Sequence, residues 1–147
     1  MTAREYLDIP YQTVREIENK TRDMAFYREM ACSMPAIQLG DKVITSKNND
    51  AIYEKYIEKV DLLAREISEK RDKLNEVKSD ISVKIEKLEN ENERMVLRYK
   101  YLMFMSVPKI ADKMSYSERW IKYLHQNAIK SFERLHPSSP PVHPTSP

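Results

Sequence analysis

Residues 106–135 read SVPKIADKMSYSERWIKYLHQNAIKSFERL, and this stretch decides the fold. It carries two helical patterns separated by a short turn. Ser106 stands at an N-cap position, and Pro108 falls in the first turn, where a missing N–H costs little. Ile110 and Met114 face inward, and Ala111 is small where two crossing helices need close approach. Met114-Ser115-Tyr116-Ser117 forms the turn. Ser115 stands where the backbone tends to be left-handed and glycine is commonest. Either Ser115 or Ser117 caps the next helix. There Ile121, Leu124, Ala128, Phe132 and Leu135 recur at three- and four-residue steps and form one apolar stripe. Two helices across a tight turn are the plan of a helix-turn-helix, whose second helix enters the DNA major groove.

Opposite that stripe, the start of the second helix holds Glu118, Arg119, Lys122, Tyr123 and Gln126, with Ser117 just before it. These are base-reading side chains: Arg or Lys pairs with guanine, Gln with adenine and Glu with cytosine. Lys109, Lys113 and Lys130 are placed to meet phosphates. A lysine at 109 opposes the dipole of its helix, which a nearby anion would explain. Trp120 adjoins Ile121 and Leu124 and reads as core-flanking packing, with DNA contact as the alternative. His125 lies one residue off the stripe and has no second ligand four residues away, so it reads as a satisfied surface or phosphate-proximal histidine rather than a metal ligand. Tyr99, Tyr101 and Tyr116 read as packing.

Working outward, Thr2-Ala-Arg-Glu5 is a capping box that opens a short helix, and Pro10 punctuates it. A second helical pattern runs from Pro10 to Ser33, with Val14, Ile17, Met24, Tyr27 and Ala31 on one face. Residues 34–49, with Pro35, Gly40 and a polar SKNN run, read as a loop. Asn49 or Asp50 then caps a long central helix. Tyr53, Val60, Ile67, Leu74, Ile81 and Leu88 recur every seven residues along it. Tyr56, Leu63, Lys70, Val77 and Lys84 occupy the complementary positions, two of them lysine. Such a heptad fits a coiled coil, either a homodimer through the central helix or an antiparallel hairpin within the chain. In the hairpin reading, the lysines mark where the N-terminal helix stops covering the central one. A further helix follows from Asn92, apolar around much of its circumference.

The expected fold class is therefore all-α. Residues 1–90 form a helical hairpin or coiled coil with a long central helix, residues 91–135 a C-terminal helix-turn-helix, and residues 136–147 a disordered Pro/Ser-rich tail. A single glycine leaves little material for hairpins or Gly-rich phosphate loops. The lone Cys32 forms no internal disulfide and no cysteine metal site, which fits a reducing cytoplasm. No apolar run spans a membrane, and the N-terminus shows no basic-then-apolar signal pattern. The expected location is the cytoplasm. No Cys/His nucleophile pair, metal cluster or phosphate cradle stands out, so no enzyme, metal or cofactor is expected. Charge is segregated: residues 50–93 carry 9 Lys+Arg against 13 Asp+Glu, whereas residues 94–135 carry 9 against 3. The basic excess coincides with the helix-turn-helix pattern, which points to double-stranded DNA as partner.

Residues 92–135 resemble the C-terminal promoter-reading region of sigma-70-type factors. The resemblance rests on Arg94, Val96, Leu97 and Tyr99, the pair Ile110-Ala111, Ser117, and Arg119, Ile121, Leu124 and Ala128. The full order of elements is similar to small phage and prophage transcriptional regulators of the ArpU/RinA kind. Ala3-Arg-Glu-Tyr-Leu7, Arg98-Tyr99, Ser117-Glu-Arg-Trp120 and Leu124-His125 carry that likeness. The chain departs from the sigma pattern at Ser115, where glycine is usual, and at Pro108-Lys109, where acidic residues are common. The resemblance implies regulation of phage or prophage genes at promoter DNA, acting with host RNA polymerase, and not a complete sigma factor. Two other readings stand beside it: a small-terminase-like DNA-packaging subunit, and a coiled-coil adaptor whose basic end binds no specific DNA.

Overall fold

The computed structural model describes residues 1–33 and 43–137, with side chains described from residue 49 onward in the second stretch. Among the described residues every regular element is helical, as the composition leads one to expect. The elements are α1 (Ala3–Cys32), α2 (Val43–Glu86), α3 (Glu91–Leu97), a π-helical segment (Arg98–Leu102), α4 (Val107–Met114) and α5 (Glu118–Leu135).

The capping box forms as read. The Thr2 N–H donates to Glu5 Oε1 at 3.0 Å, and the Glu5 N–H to Thr2 Oγ1 at 3.1 Å. Two helices were expected on either side of Pro10, but α1 runs unbroken through it. Pro10 removes one N–H from the helix ladder, yet its ring is fully buried, and that packing offsets the lost bond. The central helix begins at Val43, so the expected loop at 34–49 gives way to helix from 43 onward. Residues 34–42 lie outside the described residues, as do 138–147 of the expected tail. His136, assigned to that tail, is ordered against the fold. Its ring lies 4.9 Å from that of Phe132, and its Nε2 is 3.1 Å from the Lys84 carbonyl oxygen.

Two compact units emerge, residues 14–73 and residues 1–13 together with those from 74 onward. The expected boundary at 90/91 falls inside the second of these. In the unit of residues 14–73, α1 and α2 pair antiparallel. Ile17 and Ala31 of α1 and Val60, Leu63 and Ile67 of α2 are buried. Lys70 pairs with Glu16 at 2.5 Å and Lys20 with Glu66 at 3.2 Å, so advancing along one helix means retreating along the other.

The other unit holds two apolar clusters. The first gathers Ala3 and Leu7 of α1, Ile81 and Ile85 of α2, Leu88, Leu97, Tyr101, and Ala128, Ile129 and Phe132 of α5. The second gathers Val96, Ile110, Ala111, Ile121 and Leu124. Phe132 and Ile121 are essentially inaccessible to water. Burying side chains of this size stabilises by about 2 kcal/mol each.

The heptad residues are accordingly consumed inside the chain. Val60, Ile67, Ile81 and Leu88 are buried, Leu74 is half-buried, and only Tyr53 is exposed. The lysines do not mark the end of coverage by α1. Lys70 meets Glu16, while Lys84 lies 4.6 Å from the Tyr6 ring centre and 3.1 Å from Asp80. Each lysine reaches past the apolar seam to a partner at its edge, keeping its stem against apolar surface.

Candidate nucleic-acid interface

The chain leaves α2 through a tight turn and restarts at Asn90, whose side chain accepts from the Glu93 N–H at 3.1 Å. Arg94 donates to the Leu88 and Glu89 carbonyls and so closes that turn. The expected single helix from Asn92 is divided. After α3, the segment Arg98–Leu102 widens to π-helical spacing, and the Met103 N–H reaches the Arg98 carbonyl at 3.0 Å. Phe104 then takes a left-handed backbone conformation with φ 56°. Its ring sits 5.8 Å from that of Tyr11 and 4.9 Å from Lys78 Nζ. The widened turn and the left-handed residue redirect the chain into α4.

Ser106 occupies the N-cap of α4 in extended conformation, but its side chain makes no capping bond, contrary to the sequence expectation. The other end of α4 is as read. Ser115 is left-handed, with φ 59° and ψ 41°. The Tyr116 N–H bonds the Ala111 carbonyl at 3.0 Å, and the Ser115 N–H bonds that of Asp112 at 3.3 Å. These two bonds make a Schellman ending. Ser117, rather than Ser115, caps α5: its Oγ accepts from the Trp120 N–H at 3.1 Å.

On α5, Ile121, Leu124, Ala128, Ile129 and Phe132 are buried. Ile129 joins the stripe and Leu135 leaves it, being exposed. The inward face is thereby fixed, and Glu118, Arg119, Lys122, Tyr123 and Gln126 are all exposed. Lys109, Lys113 and Lys130 are exposed as well. Among the described residues, ion pairs join Lys20–Glu66, Lys70–Glu16, Lys84–Asp80 and Arg98–Glu86. None involves Lys109, Lys113, Arg119, Lys122 or Lys130. These cations are therefore open to an external anion, as far as ion pairs among the described residues are concerned. Lys130 stands apart from the others, lining a concavity with Glu93, Glu133 and Arg134.

Two features escaped the sequence reading. Trp120 is not core-flanking: it is 43% exposed, and its ring stacks on that of Tyr123 at 4.9 Å and 26°. Tyr116, read as packing, is also exposed and meets Trp120 edge-on at 6.4 Å. The i, i+3 spacing of Trp120 and Tyr123 was the available signal. Secondly, a concavity of about 680 Å³ joins α1 to α5, with Arg4, Asp8, Lys100, Lys122, His125 and Gln126 among its lining. Here Tyr101 Oη lies 2.6 Å from His125 Nε2. Burial, with Lys100 and Arg4 nearby, holds His125 down to about 4, and burial pushes Tyr101 up to about 12. Both groups are therefore held in their neutral forms, joined by a hydrogen bond whose direction follows the imidazole tautomer. Among the described residues no group of three or more His, Cys, Asp or Glu side chains is gathered as a metal site needs. No helix there is long and apolar enough to cross a membrane.

The protein is thus an all-α chain in which a tight turn joins α4 to α5 and Lys109, Lys113, Arg119 and Lys122 are exposed on those two helices. It belongs to the family described as "Protein of unknown function (DUF1492)", whose model matches residues 35–133. No curated protein and no solved structure matches it.

Proposed function

We propose that the protein is a sequence-specific DNA-binding regulator of transcription that reads promoter DNA with α5. The observation that carries this reading is the exposed face of α5, where Arg119, Lys122, Tyr123 and Gln126 stand together, the two cations without ion-pair partners among the described residues. Buried Ile121 and Leu124 fix that face outward, and Ser117 caps the helix at the end that would enter the groove. Lys109 and Lys113 of α4 would hold the backbone of the strand that α4 crosses. The sigma-like pattern of residues 92–135 extends the proposal to phage or prophage promoters and to host RNA polymerase as partner.

Selection from fragmented genomic DNA at two salt concentrations tests the reading. One short enriched site that persists at the higher salt supports it. Uniform binding that collapses with salt overturns it, because phosphate contacts alone behave so. Arg119→Ala with Lys122→Ala should then remove selectivity for that site while leaving the protein helical.

A further inference from the structure

We propose that Trp120 and Tyr123 form an aromatic edge of α5 that reads the C5-methyl groups of neighbouring thymines. The proposal rests on the DNA-binding reading above and specifies the chemistry α5 recognises.

The outward face of α5 is divided along its length. Lys122 and Gln126, four residues apart, line one edge beside the α1 concavity. Trp120 and Tyr123, three residues apart, line the other, 43% and 52% exposed. Arg119 lies between the two edges. Hydrogen-bonding chemistry is therefore concentrated on one side of the helix and apolar ring surface on the other. Within the major groove, the group that apolar surface can recognise is the thymine methyl, since every other base-edge feature is a hydrogen-bond donor or acceptor.

The edge is also braced from behind. Asn92 of α3 donates from Nδ2 to the Tyr116 hydroxyl at 3.2 Å, Tyr116 packs edge-on against Trp120, and Trp120 stacks on Tyr123. Rings already held by one another lose little freedom on binding. A helix rise of about 4.5 Å separates residues three apart, close to one base-pair step of about 3.4 Å. Adjacent thymines therefore fit the two rings. The cations on the same surface, without ion pairs among the described residues, match the surrounding phosphates, which favours DNA over an apolar protein surface as occupant.

Trp120 is the only tryptophan in the chain, so its emission reports on this surface alone. The test uses the full-length protein and the enriched duplex from the selection above, with each thymine in turn replaced by uracil, which lacks only the methyl. The expected result is a change in Trp120 emission on duplex addition, and a loss of about fourfold in affinity for each of one or two adjacent uracils, the worth of one buried methyl carbon. The exposed-site variant Trp120→Ala, checked for helicity, should bind more weakly and lose its sensitivity to one of those uracils. Site-selective binding that survives replacement of every thymine, with unchanged Trp120 emission, would overturn the proposal and leave the DNA-binding reading standing. Failure to enrich any site would overturn both.

Discussion

The Tyr101 hydroxyl and the His125 Nε2, 2.6 Å apart, tie the π-helical segment to α5 through a hydrogen bond whose donor is set by the imidazole tautomer. His125 in the folded chain takes up a proton only near pH 4, whereas an unfolded histidine does so near its ordinary value of 6.5. Between those values the unfolded state binds the proton and the native state does not. Stability should fall as pH drops from about 6.5 to 4 and level off below, as far as this group is concerned. His125→Gln keeps an acceptor for the phenol and removes the titration. Thermal unfolding of both proteins from pH 7.5 to 4.5 should show the wild type losing its advantage across that window. Parallel curves would show that His125 does not titrate this way.

Ser115 holds a left-handed conformation at the end of α4 without being glycine. A Cβ in that region costs roughly 1–2 kcal/mol, and glycine's greater freedom when unfolded returns part of it. Ser115→Gly should raise stability by about 0.5–1 kcal/mol, and Ser115→Val should lower it by at least about 1 kcal/mol. Denaturant midpoints at constant slope would measure both.

The pairing of α1 with α2 in residues 14–73 has a register that charge reversal can check. Lys70→Glu sets two carboxylates together opposite Glu16 and should cost up to about 1 kcal/mol, in keeping with partly exposed ion pairs. Adding Glu16→Lys should recover most of that loss. A double variant no more stable than Lys70→Glu alone would count against the 16–70 pairing.

How far the sequence revealed these features depended on whether a residue's surroundings were local. The caps at Thr2 and Ser117, the apolar stripe of α5 and the left-handed Ser115 follow from neighbours a few residues away, and they were legible. The fate of the heptad was not. Val60 and Ile81 show the same periodicity whether a second chain or α1 covers them, and only the three-dimensional pairing distinguishes the two. Pro10 misled because its cost is local while its burial comes from long-range packing. Trp120 misled for the opposite reason: Ile121 is its neighbour in sequence, but one residue is a rotation of about 100° on a helix, and the ring lies beyond the edge of the stripe, on Tyr123 and towards solvent. The π-helical segment has no sequence signature in this chain.

The basic residues around α4 and α5 should separate into two kinds when DNA affinity is followed against salt. A lysine that neutralises one phosphate steepens the logarithmic salt dependence by about one, whereas a residue that reads a base edge alters selectivity more than slope. Lys109 and Lys113 are exposed on α4 without ion-pair partners among the described residues. Lys109→Ala and Lys113→Ala should each reduce the slope by about one and weaken binding to all sequences alike. Arg119→Ala should instead reduce discrimination at one base pair, by about 1–3 kcal/mol. Lys130 is the informative contrast. It shares its surroundings with Glu93 and Glu133, and a helix rise of roughly 16 Å separates it from Arg119. Lys130→Ala should leave both slope and selectivity near wild type. A full unit of slope lost there would extend the DNA path to the C-terminal half of α5 and require a more oblique crossing of the groove.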